Sequence, residues 1–287
     1  STTEALRKFY EKDSYALLKK DETLNNLELL AKFWYDVSIQ STERFSNDVL
    51  KRLYVLNYAP NGMWNYFVSV YFMKNKDENG LLDDNKFLKF LTKITAFIFA
   101  YAVTNPGVNA LRTPVYAEMV NLVEDKEISF SEFKFEPELV KSQFINYEFT
   151  NNRPITKSIL TWWAFNNENQ PLLSLENNFE IEHIYARKRQ ENENSLSNSK
   201  NLESLGNKAI LEKKINIRAS DYRFNDKKKY YEGFTNDKGQ KKDGTKNLEL
   251  LDFAQTKSDF TEKDIISRHD LIINSFVEFL KVNDLLK

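Results

Sequence analysis

The sequence predicts a mainly α-helical protein with a small α+β unit in its second half. Hydrophobic residues make up 41% of the 287 residues and aromatic residues 14%, enough to build a packed core. Apolar residues recur at helical spacing through about the first 165 residues, and a pattern of period two first appears near residue 179. Because single cores seldom grow past about 250 residues, we expect a helical domain over residues 1–170 and a second domain over residues 171–287.

Seven amphipathic or fully apolar segments predict the helices of the first domain. Thr23 is placed to cap the first segment, and Asp83 and Asp84 put acids at the amino terminus of the fourth, where the helix dipole favours them. Pro154 suits the first turn of the last segment. The apolar run 94–103 is too short to span a bilayer, so we expect a buried helix. The segments are residues 23–37, 47–56, 65–73, 83–103, 109–123, 136–149 and 153–167.

The second half combines short strand patterns with polar loops. Residues 179–184 alternate between two faces, and residues 209–211 form a second short apolar segment, so both are predicted strands. The segment between them is too rich in Ser, Asn and Glu to pack. The other expected elements are a basic helix over about 217–231, an exposed loop over 234–248 and a closing helix over 261–286, capped by Thr261.

The composition excludes several classes of chemistry. The chain has no cysteine, which excludes disulfides, thiolate nucleophiles and cysteine-ligated zinc. Seven glycines and no Gly-rich or Walker-type loop leave no backbone cradle for a nucleotide. The first residues are charged and lack an apolar signal segment, so we expect a cytoplasmic protein with no membrane partner.

The net charge of −1 is unevenly distributed. Residues 183–231 contain 12 Lys or Arg and 6 Asp or Glu, a net charge of +6, which leaves −7 for the rest of the chain. A positive field concentrated on a near-neutral chain indicates phosphate binding, although a solvated helix face can produce the same charge run.

His183, one of only two histidines, follows Glu182 directly near the end of the first predicted strand. Neutral imidazole can act as a base near neutral pH, and a strand end can present both side chains to one cleft. Asn207 and Asn216 follow downstream, and amide oxygens are hard ligands suited to Mg²⁺ or Mn²⁺. Together the four side chains supply the groups that a one-metal nuclease requires.

The order of these residues resembles the HNH, or His-Me finger (ββα-metal), nuclease motif. It is most similar to the carboxy-terminal nuclease domain of GmrSD-type modification-dependent restriction proteins. The helical half and the closing helix also resemble regions that flank this nuclease. The resemblance implies an N-terminal helical bundle followed by a ββα-metal finger packed on a C-terminal helix. The similarity is carried by Glu182-His183-Ile184, Leu205-Gly206-Asn207, Asn216, and Phe224 to Lys227 with Tyr230.

The resemblance further implies a metal-dependent DNA endonuclease that acts on modified phage DNA. It implies His183 as the general base, Asn207 as the residue that braces the loop and the histidine, and Glu182 with Asn216 as the ligands of Mg²⁺ or Mn²⁺. The side chains expected to hold DNA are Arg187, Lys213, Arg218, Arg223, Lys227 and Lys228.

Two features depart from the family pattern. Ala186 stands where a proline often follows the histidine, so we expect a different strand exit. GmrSD-type proteins usually begin with a ParB-like nucleotide-hydrolysing domain carrying a Gly-Gln-Gln-Arg-type motif, and this sequence contains none. We therefore expect a carboxy-terminal fragment, or a subunit that works with a separate ParB-like NTPase domain or subunit.

Other interpretations stay open at this stage. A catalytically silent DNA-binding or protein-interaction module of a defence complex would bind DNA without cutting it, and a helical scaffold would not bind it at all. Asn207 after Gly206 also suits a tight turn. Asn216 could be a helix cap, with Asn225 as the ligand in its place, and His269 is expected to be an ordinary surface or hydrogen-bonded residue.

Overall fold

In the computed structural model, residues 3–107, 109–220 and 223–287 are described. The described chain is mainly helical with two small antiparallel sheets, which confirms the predicted fold class of a mainly α protein with a small α+β unit. The helices of the first half are α1 Thr3–Glu11, α2 Asp21–Ser38, α3 Asn47–Leu56, α4 Met63–Asn75, α5 Asp84–Thr104, α6 Arg112–Val123, α7 Pro137–Asn146 and α8 Pro154–Ala164.

The second half contains all four strands of the described residues. Strand β1 pairs with β2, and β3 pairs with β4. The strands are β1 Phe179–His183, β2 Lys208–Glu212, β3 Gly233–Thr235 and β4 Lys241–Asp243. The helices are α9 Arg187–Glu193, α10 Lys213–Ala219, α11 Phe224–Glu232, α12 Leu248–Thr256 and α13 Glu262–Val282.

Side-chain caps explain where several helices begin. The Asp83 carboxylate accepts from the Lys86 amide at the start of α5, and Thr261 forms a capping box with Asp264 at the start of α13. Helix α8 begins at Pro154 as predicted. The predicted cap at Thr23 is wrong, because α2 already begins at Asp21 and contains Thr23.

Three predictions for the second half are wrong in detail. The single basic helix over about 217–231 is two helices, α10 and α11, and residues 221–222 between them lie outside the described residues. The polar segment after the first strand contains α9, and the predicted loop 234–248 contains the hairpin β3–β4. The hairpin strands are short and polar, so they lack the apolar alternation that reveals a strand in a sequence.

Two buried clusters meet at the sheet formed by β1 and β2. Phe179 and Ile210 belong to the larger cluster, which also contains most of the buried residues of α5 and of the second half of α13. Ala209 and Leu211 point to the opposite face, into a smaller cluster formed with α10, α11 and α12. The larger core therefore includes residues from both sides of the predicted boundary at residue 170.

Helix α5 forms the centre of the larger core. Residues 94–100 have no solvent exposure. By length and composition α5 is the one helix of the described residues that could cross a membrane, but 61% of its apolar window is buried within the protein. Its burial accounts for its apolar composition.

Candidate active site

The predicted site lies on the sheet between the two cores. His183 is the last residue of β1 and pairs across the sheet with Lys208, the first residue of β2. Helix α10 follows β2 without an intervening loop. The chain from residue 179 to residue 219 thus forms a strand, a long connecting segment, an antiparallel strand and a helix.

Asn207 is fully buried and holds the chain directly after His183. Its Oδ1 accepts from the Tyr185 amide at 2.7 Å, and its Nδ2 donates to the carbonyl oxygens of Tyr185 and Leu202, both at 3.0 Å. Its own carbonyl oxygen accepts from the Ile184 amide at 2.9 Å. Asn207 thus braces the loop after β1, although no hydrogen bond of the described residues joins it to the imidazole.

His183 is 8% exposed and contacts a carboxylate that the sequence did not indicate. Its Nε2 lies 3.3 Å from Oε1 of Glu203. The same oxygen accepts from Nη2 of Arg187 at 2.7 Å, and the other accepts from Nζ of Lys208 at 2.5 Å. No sequence pattern predicts that Glu203 contacts His183, because this contact depends on how the segment connecting the two strands folds.

The electrostatics of this cluster favour a neutral imidazole and an ionised carboxylate. Burial lowers the pKa of His183, an effect that the hydrogen bond with Glu203 opposes and the charge of Lys208 reinforces. Partial burial alone would raise the pKa of Glu203, but hydrogen bonds with His183 and Lys208 outweigh it and hold that pKa well below its usual value. His183 is therefore available as a base at neutral pH.

Glu182 leaves β1 on the opposite face from His183. Its Oε1 accepts from Nζ of Lys227 at 2.6 Å and from the hydroxyl of Tyr231 at 2.7 Å. Nζ of Lys227 also donates to the carbonyl oxygen of His183 at 2.5 Å. Burial, together with the neighbouring charge of Glu182, raises the pKa of Tyr231 well above its usual value, so the hydroxyl remains a donor. The strand end does not bring the side chains of Glu182 and His183 together.

Asn216 lies near a second glutamate on the same sheet face as Glu182. Its Nδ2 is 3.5 Å from Oε2 of Glu180, whose other oxygen is 3.4 Å from Nζ of Lys213. Glu180 and Glu182 are two residues apart in β1 and therefore share a face. The described residues contain no group of three or more His, Asp or Glu side chains that could hold a metal ion.

The six predicted DNA contacts differ in how far they reach solvent. The side chains of Arg187, Lys213 and Arg223 are 52%, 49% and 70% exposed, although each forms an ion pair within the chain. Arg218 donates to the carbonyl oxygen of Lys214, and Lys228 to that of Lys257. Lys227 is 2% exposed, so its ammonium contacts Glu182 and is not placed to touch a phosphate on the surface.

Residues 134–275 match the family model described as "GmrSD restriction endonucleases, C-terminal domain". This stretch, just under half of the chain, is a C-terminal domain of the GmrSD restriction endonuclease family. The GmrSD C-terminal domain contains β1, β2, the Asn207 turn and most of α13, so every predicted site residue lies within it. It is a nuclease domain of restriction systems, and its match begins before the predicted boundary at residue 170. No curated protein and no solved structure matches the chain.

We expect Lys227→Met to lower the stability of this GmrSD domain. Glu182 would lose the cation that neutralises it in a buried site, and breaking a buried ion pair typically costs about 3–5 kcal/mol. Urea unfolding monitored by circular dichroism measures the change. Lys229→Met is the matched control, because Lys229 is exposed two residues further along the same helix. Equal stabilities of the two variants would contradict a structural role for Lys227.

Proposed function

We propose that the chain is a metal-dependent DNA endonuclease of the HNH, or His-Me finger, type. The observation that carries the proposal is the set of hydrogen bonds between Asn207 and the two residues after His183. They anchor the exit of β1 to the start of β2, which is the purpose that a bracing asparagine serves in a ββα finger. The match of residues 134–275 to the GmrSD C-terminal domain supports the same activity.

His183 is the general base in this proposal. With its proton on Nε2 the ring donates to Glu203, which leaves the lone pair on Nδ1. No hydrogen bond of the described residues occupies Nδ1. Nδ1 removes a proton from water, and the water oxygen attacks phosphorus. The bond from phosphorus to the 3′ oxygen breaks, and the 3′ oxygen leaves with the bonding electrons and takes a proton from solvent. Glu203, held by the buried Lys208, keeps the ring in this orientation and stabilises the imidazolium that forms.

The donor atoms on the other sheet face suit Mg²⁺ or Mn²⁺. Oε2 of Glu182 and Oδ1 of Asn216 make no hydrogen bond within the described residues, and neither is a fully buried atom without a partner. Both are hard oxygens of the kind that these ions prefer. Glu182 and Asn216 would hold the ion, which would offset negative charge on the phosphate and the leaving oxygen. Because these ligands lie on the opposite sheet face from His183, the phosphate would have to lie across the end of β1 to reach both the ion and the imidazole.

The proposed substrate is modified phage DNA, held by the side chains that reach solvent beside the site. Arg187, Lys213 and Arg223 have ion-pair partners of moderate exposure, and such pairs exchange readily for phosphate because surface pairs contribute only about 0–1 kcal/mol. A ParB-like NTPase domain or subunit is the proposed partner that would control cleavage in the cytoplasm.

Incubation of the purified chain with supercoiled plasmid tests the proposal. We expect nicked and linear DNA in the presence of Mg²⁺ or Mn²⁺ and none with excess chelator, since the ion would carry part of the catalytic charge stabilisation. Phage DNA with modified bases, compared with the same DNA lacking them, tests the substrate. DNA retention without strand scission under any divalent metal would favour a silent DNA-binding module instead.

A further inference from the structure

Arg268 of helix α13 binds the turn that carries Asn207. Its Nη1 donates to three carbonyl oxygens, those of Leu205 at 2.8 Å, Gly206 at 3.1 Å and Lys208 at 2.7 Å. These residues flank Asn207 on both sides. The guanidinium is 6% exposed, so water does not replace these bonds easily.

A second side chain fixes the guanidinium itself. Nε and Nη2 of Arg268 donate to the two carboxylate oxygens of Glu249 at 2.8 and 2.7 Å, a bidentate pair. Oε1 of Glu249 also accepts from Nε1 of Trp163 at 2.8 Å. The network therefore joins α8, α12 and α13 to one short turn.

The backbone of α13 also lies directly against this turn. A Cβ atom on Gly206 would lie 1.9 Å from the carbonyl oxygen of Ile265 and 2.8 Å from the amide nitrogen of His269. Only glycine permits so close an approach. Further along α13, Ile272, Ile273, Phe276 and Leu280 belong to the larger core. A shift of α13 within that core would thus carry the turn with it.

We propose that Arg268 is the positioning residue through which α13 and the helical core set the place of Asn207, and with it the loop that follows His183. The expected effect on the cleavage rate rests on the proposed nuclease activity. The contacts that link α13 to Asn207 do not depend on that activity. Arg268 does not need to touch DNA or the reacting atoms. It acts through Asn207, whose Oδ1 lies 2.7 Å from the Tyr185 amide.

The proposal gives the helical half of the chain a role in controlling the position of the Asn207 turn. A partner bound to that half could alter cleavage by displacing α13, because Arg268 and Gly206 couple the helix to the turn at three residues, Leu205, Gly206 and Lys208. A misplacement of about 1 Å at a catalytic group can lower a rate by up to about a hundredfold.

Arg268→Lys tests the coupling with the charge retained. Lysine has one donor centre, so it cannot serve three carbonyl oxygens and a bidentate carboxylate together. We expect hydrogen–deuterium exchange of the Tyr185 and Ile184 amides to accelerate by about tenfold or more, because their acceptors on Asn207 become mobile. The exchange is measured by NMR or by mass spectrometry of the 183–209 region, without DNA or metal.

The kinetic arm uses steady-state plasmid cleavage over a range of DNA concentrations. We expect kcat to fall by about tenfold to a hundredfold with KM within twofold, since substrate contacts remain. In an Asn207→Ala background the Arg268→Lys change should add less than about twofold, because residues that act through one another are not additive. Glu249→Gln, which keeps the shape of the carboxylate, provides a milder second variant if Arg268→Lys folds poorly.

Phe33→Leu is the matched control. Phe33 is buried in α2 and packs on Phe45 and Phe72, none of which belongs to α13 or to the turn. The Phe33→Leu change should lower the melting temperature without changing Tyr185 amide exchange or kcat. Unchanged exchange at Tyr185 in both Arg268→Lys and Glu249→Gln would overturn the proposal. Altered exchange in a chain that never cleaves DNA would leave the positioning role standing and refute the nuclease assignment.

Discussion

Replacing His183 with alanine is expected to lower DNA cleavage by about 10²–10⁴-fold, the usual contribution of a general base. The loss follows because Nδ1 is the atom proposed to take the proton of the attacking water. DNA affinity should stay unchanged, since the ring is 8% exposed and contributes no surface charge contact. Cleavage is followed as conversion of supercoiled plasmid, and affinity by fluorescence anisotropy of a labelled duplex in the presence of chelator.

His269 provides the internal control for this experiment. It is the other histidine of the chain, lies in α13, and has a buried Nδ1 without a hydrogen-bond partner. His269→Gln should cleave within a few fold of the parent, because nothing places its ring near the proposed water. Cleavage by His183→Ala at the parental rate would refute the assignment of the base, whatever the activity of the control.

Gly206→Ala is expected to be the most damaging of the glycine-to-alanine changes in the chain, because its added Cβ would meet the closest neighbouring atom. The added Cβ would lie 1.9 Å from a backbone oxygen of α13, and backbone atoms cannot move aside as a flexible side chain can. We expect a loss of about 3 kcal/mol in the free energy of unfolding, at the upper end of overpacking effects. Cleavage should fall as well, because Asn207 follows Gly206 directly.

Gly62→Ala is the comparison for that variant. Its Cβ would lie 3.7 Å from the side chain of Asn65, an ordinary contact distance. Its backbone has φ −81°, which alanine adopts freely. The free energies of unfolding of the two variants, measured in urea, should therefore differ by most of the loss predicted for Gly206→Ala. A Gly206→Ala protein as stable as Gly62→Ala would show that α13 and the turn are not packed as closely as described.

The elements predicted well from sequence are those whose signals are local. The apolar spacing of α5 and α13, the acids Asp83 and Asp84 and the cap at Thr261 all lie within a few residues of the helix that they define. The break between α10 and α11 and the hairpin β3–β4 were missed. Both lie in basic, polar sequence, where helix, strand and loop have nearly the same hydrophobic pattern.

The candidate site also combines features that the sequence reveals with features that only the folded structure reveals. The sequence by itself determined which chemical groups are present and in what order, from Glu182 and His183 to Asn207 and Asn216. Only the tertiary structure decided their partners: Glu203 on the imidazole, Lys227 on Glu182 and Arg268 on the turn. Lys227 and Arg268 reach across 45 and 63 residues to contact Glu182 and Leu205. Hydrogen bonds over such separations form because the packing of the two cores brings distant elements together, and a local pattern contains no information about that packing.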